Sequence, residues 1–267
     1  MRRNHPERSL SKNMETIYST KYSTKQLKTI LKKHAGRSKG RVTVRGQGGR
    51  HKRYYREIDF RRDKFGVVGE VLDLEYDPNR NVFIAPIKYA DGEYRYMLAP
   101  KELKVGDKVI SGEKVEVKVG NAMQLKNITI GSFVHNVEFI QGRGGQMGRS
   151  AGTSIQLLAK EGGFAHLKLP SGETRKVALE GMATLGILGN EEARAEVLGK
   201  AGTARHMGVR PTVRGVAQDP DSHPHGGGEG RSGIGRKKPM TKYGRPAVGK
   251  TRKKGKWTSK YIIKRRK

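Results

Sequence analysis

The positive charge of this chain is confined to its two ends. Residues 1–60 carry 17 basic and 4 acidic side chains, residues 61–198 carry 19 and 18, and residues 199–267 carry 20 and 3. A nearly neutral middle between two strongly basic segments predicts a globular centre with basic arms. Only 34% of the 267 residues are hydrophobic and 36 are Gly, too little apolar material to bury the whole chain. A formal charge of +31 repels itself unless a polyanion neutralises it, which makes nucleic acid the first partner to consider.

Several classes are excluded on composition. There is no Cys, hence no disulfide framework, no thiolate zinc site and no Cys nucleophile, which fits a reducing compartment. No run approaches the ~20 apolar residues of a membrane helix. The start, Met1-Arg2-Arg3-Asn4-His5-Pro6-Glu7-Arg8, lacks the apolar segment of a secretory signal. A soluble cytoplasmic protein away from membranes is expected.

The middle reads as all-β. Val67–Tyr76 is rich in branched residues, Asp77-Pro78-Asn79-Arg80-Asn81 is a turn, and Asp91-Gly92 separates two further runs as a hairpin signal. Pro86 predicts an edge or a bulge. Lys114-Val115-Glu116-Val117-Lys118-Val119 alternates cleanly as a strand should. Phe133–Ile140, Ser154–Ala159, Phe164–Leu169 and Arg175–Val177 follow, with a turn at Pro170-Ser171-Gly172-Glu173. Closely spaced short strands imply small barrels or sandwiches. The division expected is a basic extension over 1–60, one barrel over 61–125, a second over 126–198, and a basic extension over 199–267. Helix is expected only near residues 23–34 and at Asn190–Leu198, where Asn190 would cap. The last segment, with 13 Gly and 5 Pro, is expected to order only on a partner.

The first arm mixes cations, Gly and paired aromatics from Gly40 to Arg56. Arg41, Arg45, Arg50, Lys52, Arg53 and Arg56 are suited to phosphates and Tyr54 to stacking on an unpaired base, with His51 among the expected RNA contacts. RNA is favoured over DNA because no helix-turn-helix, finger or basic-zipper pattern is present. Gly244-Arg245-Pro246-Ala247-Val248-Gly249-Lys250-Thr251 fits the phosphate-loop pattern, but no apolar strand leads in and Arg252-Lys253-Lys254 is a poor helix start. Likewise Gly228-Glu229-Gly230-Arg231-Ser232-Gly233 fits a dinucleotide fingerprint without the strand that gives it meaning. In Asp219-Pro220-Asp221-Ser222-His223-Pro224-His225, alternate residues of an extended chain would share a face. An RNA-facing loop, a role near a catalytic centre supplied by others, and a metal site all remain open there.

These residues resemble the large-subunit ribosomal protein L-two family. The match runs through Gly40–Arg45, His51–Arg56, Gly120-Asn121-Ala122, Val134-His135-Asn136-Val137-Glu138 and Gly144-Gly145-Gln146. It continues through Arg149–Thr153, Leu169–Glu173, Arg210–Ala217 and His223–Arg231. The resemblance implies an oligonucleotide-binding-type barrel, then an SH3-like barrel, with extended basic arms. It implies an architectural protein of the large subunit rather than an enzyme. Its expected partners are large-subunit rRNA, other ribosomal proteins, small-subunit rRNA at an intersubunit bridge and, indirectly, tRNA. Support for tRNA binding and peptide-bond formation is implied as well. It needs no cofactor, with Mg2+ only as the counter-ion of rRNA, and no resident metal. Carried onto this chain, the expected RNA contacts add Arg143, Gly144, Gly145, Arg149, Arg205, Arg210, Arg214, His223, His225, Arg231, Lys253 and Lys254 to those of the first arm. The chain departs from the family at His206, where a Trp is usual, at Gln218-Asp219, and over its first 35 residues.

Overall fold

A computed structural model describes residues 24–249, 252 and 255–266. Among these residues there are fifteen short strands: β1 Lys28–Ile30, β2 Arg37–Ser38, β3 Arg41–Val42, β4 Tyr54–Arg56, β5 Gly69–Val71, β6 Ile84–Tyr89, β7 Tyr94–Leu98, β8 Lys108–Val109, β9 Ala122–Gln124, β10 Phe133–His135, β11 Ile155–Glu161, β12 Phe164–Lys168, β13 Thr174–Ala178, β14 Met182–Leu185 and β15 Ile262–Lys264. Among the described residues one α-helix, α1 (Ala201–Met207), joins them, together with a few 3-10 turns. The fold is all-β. The contacts divide it into two units, residues 24–31, 52–197 and 260–266 in one, and residues 32–51 and 198–259 in the other.

The first unit is built on two antiparallel sheets, ordered β7-β6-β5-β8 and β15-β13-β12-β11-β10-β14-β9. Among the described residues neither ladder closes on itself. The first sheet is buried on both faces, because β6 and β7 alternate between two clusters. Ala85, Ile87, Tyr89 and Met97 pack with Val71 and Val109 on one side. Ile84, Tyr96 and Leu98 pack on the other with Ile58, Ala151 and Leu188, so residues beyond the second sheet seal the first. Lys101 N donates to the Ile187 carbonyl at 2.8 Å along this seam. The second sheet encloses its own cluster of Met123, Leu125, Val134, Ile155, Leu157 and Leu167. Each fully buried Ile or Leu contributes roughly 1.5–3 kcal/mol, so the body of the protein rests on these clusters.

Four local expectations are corrected. Residues 24–34 form a 3-10 turn (Lys25–Leu27) and then β1, because Lys28–Ile30 finds Tyr54–Arg56 as an antiparallel partner. Lys114–Val119 is not a strand despite its alternation. No ladder partner lies beside it; Glu116 O instead accepts from Lys118 N and Asn121 Nδ2, and Val117 is left exposed. Asn190 has left-handed φ (58°) and makes no capping bond, so only a 3-10 turn, Glu191–Arg194, follows. Pro86 sits in the interior strand β6, paired with Tyr96. Its carbonyl accepts from Leu72 N just past the end of β5.

Candidate nucleic-acid interface

On the first unit the glycine-rich loop is set by what precedes it. β10 stops at His135 because Asn136 takes a left-handed φ of 49°. The chain then folds back, with Asn136 N and Val137 N donating to the Gly148 and Met147 carbonyls, each at 2.9 Å. The buried Glu138 carboxylate accepts from Gly144 N at 2.8 Å and Met182 N at 3.1 Å, tying the loop to β14. The Phe60 carbonyl accepts from Gly145 N at 2.8 Å and from Asn136 Nδ2 at 3.2 Å. A Cβ at Gly145 would overlap the Asn136 side chain, so the close approach requires Gly. Both Gly144 and Gly145 are buried with their N–H groups spent inside the protein. The loop therefore presents to a ligand the exposed Arg143 and Arg149 rather than its glycine amides.

Arg149 is held in two ways. Its Nη1 donates to the Gly145 carbonyl at 3.1 Å, and its guanidinium lies 4.4 Å from the Phe60 ring centroid. It also lines a groove of about 550 Å³ together with Arg80, Arg194, Ser150 and Thr153. Three guanidinium groups and two hydroxyls in one groove suit a phosphodiester backbone. Arg80 is fixed by the fully buried Asp77 at 2.7 Å. Arg80 and Arg194 escaped the sequence reading; the signal was a lone Arg within the Asp77–Asn81 turn. Arg53 and Arg56, expected at the RNA, are half-buried braces of that same turn. Arg53 Nη1 donates to the Pro78 carbonyl at 2.8 Å, and Arg56 pairs with Asp77 at 3.4 Å and Glu75 at 3.6 Å. Tyr54, 54% exposed, remains available for stacking.

The second unit brings the two basic ends together. Gly48 N donates to Gly208 O at 2.9 Å, His51 N to His206 O at 3.0 Å, and Arg210 N to Gly46 O at 2.8 Å. Gln47 and Val209 form an antiparallel bridge between these donors. The expectation that helix is confined to residues 23–34 and Asn190–Leu198 is corrected by α1, whose last turn carries Arg205 and His206. His206 packs edge-on against His51 at 4.4 Å. Arg50 braces the first segment, donating to Lys32 O at 2.8 Å and His51 O at 3.0 Å. Arg41, Arg45, Lys52, Arg205, Arg210, Arg214 and Arg231 are exposed. Over residues 32–51 and 198–259 there are 22 Lys and Arg against three acidic residues. No cluster of buried apolar residues lies there among the described residues. Lys253 and Lys254, and Lys250-Thr251 of the phosphate-loop pattern, lie outside the described residues.

The histidine loop is a turn, not an extended segment, so its alternate residues do not share a face. Asp219 O accepts from Ser222 N and His223 N, and Asp219 Oδ1 from Asp221 N. His223 Nδ1 accepts from His225 N at 3.1 Å, and His225 Nε2 from Met240 N at 3.0 Å. The rings sit 4.8 Å apart. A Cβ on Gly215 would overlap the His223 ring, so that glycine makes room for the imidazole. Desolvation, then the neighbouring His225 and Arg45, lowers the His223 pKa. Both rings therefore spend one lone pair on backbone N–H groups. Among the described residues no three His, Asp or Glu side chains gather to hold a metal.

A β body with guanidinium-lined grooves, joined in sequence to a cation-rich unit lacking an apolar core, defines an architectural RNA-binding protein. Comparison with known families makes this specific. Residues 24–111 match the model described as Ribosomal Proteins L2, RNA binding N-terminal domain, and residues 118–244 match Ribosomal Proteins L2, C-terminal domain. The chain belongs to the ribosomal protein L2 family, whose members are structural, rRNA-binding components of the large subunit, bound there with other ribosomal proteins.

Proposed function

We propose that this protein holds large-subunit rRNA in place near the peptidyl transferase centre, supports subunit association through a contact with small-subunit rRNA, and thereby aids tRNA binding and peptide-bond formation. The observation that carries the reading is the second unit: two basic segments tied by backbone hydrogen bonds, with 22 cations, three acids and no apolar cluster. Such a unit gains little from burial and much from phosphate, so rRNA completes it. Arg41, Arg45, Arg205, Arg210, Arg214 and Arg231 neutralise phosphates, while Arg143 and Arg149 anchor the β body. His223 and His225 shape a rigid loop at the RNA and do no chemistry themselves. Mg2+ enters as the counter-ion of rRNA, and the protein works in the cytoplasm on the assembled ribosome.

The test is binding of the full chain to a large-subunit rRNA transcript over a salt series, against random RNA and DNA of equal length. The log of the affinity should fall by about 0.7–0.9 per log unit of salt for each phosphate neutralised. The rRNA should be markedly preferred. In assembled ribosomes, crosslinks from the chain should reach small-subunit rRNA. A salt-independent affinity, or equal affinity for random DNA, would overturn the reading.

A further inference from the structure

A cavity of about 610 Å³ opens on the first unit beside the glycine-rich loop, lined by Leu27, Glu57, Ile58, Phe60, Arg61 and Arg143, with Asp59, Asp63, Glu93 and Arg95 on the remaining wall. Its chemistry is unlike that of the groove at Arg149. Four carboxylates line it against three guanidiniums, in a chain with twice as many basic as acidic residues. Arg95 pairs through Nε and Nη1 with three of those carboxylates, Asp59 at 3.0 Å, Asp63 at 2.5 Å and Glu93 at 2.7 Å. Lys64 also pairs with Glu93, so the carboxylate left without a cation is Glu57, and a phosphate entering here would face it directly. A neutral group with an apolar face and N–H donors on its edge would escape that repulsion.

We infer that this cavity receives one unstacked guanine of the bound rRNA. The base has a face for the Leu27, Ile58 and Phe60 floor, and its N1–H and N2–H groups match a carboxylate acceptor. Glu57 supplies that acceptor: it is exposed on the cavity wall, and its carboxylate has no hydrogen-bonding partner among the described residues. Arg61 and Arg143, exposed at the rim, hold the flanking phosphates. Phe60 then joins two RNA contacts, since its ring also carries the Arg149 guanidinium. An RNA occupant is favoured over a basic side chain from another ribosomal protein because free cations stand at the entrance.

The inference rests on the rRNA-binding reading above, and the test separates the two. Guanines of the rRNA transcript are probed with kethoxal, which modifies the Watson–Crick edge, with and without the full chain. One guanine should be protected by the wild-type protein and regain reactivity with Glu57→Gln and with Phe60→Leu. Affinity should fall about fivefold to 100-fold at unchanged salt slope. Arg61→Gln and Arg143→Gln should instead lower the slope by about 0.7–0.9 each. Glu57→Gln is the decisive variant, because it touches neither Arg149 nor the loop. If rRNA binds normally and no guanine depends on Glu57, the inference is wrong while the proposed function stands. If Glu57→Gln releases a neighbouring ribosomal protein from reconstituted subunits with the rRNA footprint unchanged, the cavity belongs to a protein side chain and the inference is again overturned. If the wild-type chain binds no rRNA, both fall together.

Discussion

The Arg149 guanidinium lies over the Phe60 ring at 4.4 Å while its Nη1 donates to the carbonyl of Gly145. The planar group is thereby held before any ligand arrives, and it lines the groove shared with Arg80 and Arg194. Lysine cannot reproduce this, since an ammonium neither stacks as a plane nor donates in a fork. Arg149→Lys should weaken rRNA binding about tenfold although the charge is kept, with unfolding by urea hardly changed. Equal affinity of the lysine variant and wild type would show that only the charge of residue 149 matters.

Gly145→Ala places a methyl group on Asn136, whose Nδ2 and backbone both hold the fold-back after β10. Overpacking of this kind costs roughly 1–3 kcal/mol. We expect a lower urea midpoint together with weaker rRNA binding, because the same displacement moves Arg149. A stable variant with normal affinity would mean that the loop adjusts independently of Asn136.

His135 is fully buried, with Nδ1 donating to the Gly186 carbonyl at 2.9 Å. Desolvation chiefly, with Arg62 adding to it, lowers its pKa to about 4. In the unfolded chain the imidazole titrates at about 6.5. Below that pH the unfolded state binds the proton and the folded state does not, so stability falls as pH drops from about 6.5 to 4 and levels off beneath. The loss should approach about 3 kcal/mol. Urea midpoints measured at pH 7 and pH 4.5 test this, and His135→Gln should remove that part of the difference.

His223→Ala with His225→Ala should leave rRNA affinity within about threefold of wild type, because the phosphate contacts lie elsewhere. Subunit association and peptide-bond formation by reconstituted ribosomes should nevertheless drop. The structural reason is Met240 N, which loses its acceptor at His225 Nε2, and His225 N, which loses His223 Nδ1. If the double variant loses affinity as severely as deletion of residues 199–267, the loop is itself a principal rRNA anchor.

Much of this was legible in the sequence, for reasons that differ by element. Phe164–Lys168 and Thr174–Ala178 alternate and are strands, because each has a partner within a few residues of turn. Lys114–Val119 alternates as well and is not one; periodicity reports a face, whereas a strand also needs a neighbour, and the neighbour is a tertiary fact. Arg56 and Arg41 look alike in a basic run. Only the fold reveals that Asp77 and Glu75, some twenty residues on, claim Arg56 and leave Arg41 to solvent. The same holds for Arg80, hidden in a turn until Arg149 and Arg194 arrive beside it. Composition exposed the histidine loop, but its hydrogen bonds depend on Met240, well beyond the motif.

The hydrogen bonds from Gly48 to Gly208 and from Arg210 to Gly46 also dictate an order of events during synthesis. Residues 52–197 hold all three apolar clusters and can close as soon as they leave the ribosome that makes them. The segment around Gly48 emerges earlier and yet waits for its partners at residues 206–210, about 160 residues further along the chain. Through that interval it has only its own short β2–β3 pairing and presents its cations to every RNA in the cell. A chain released early would carry the three apolar clusters without the edge strand β15, and an orphaned segment able to stick to RNA without joining a subunit.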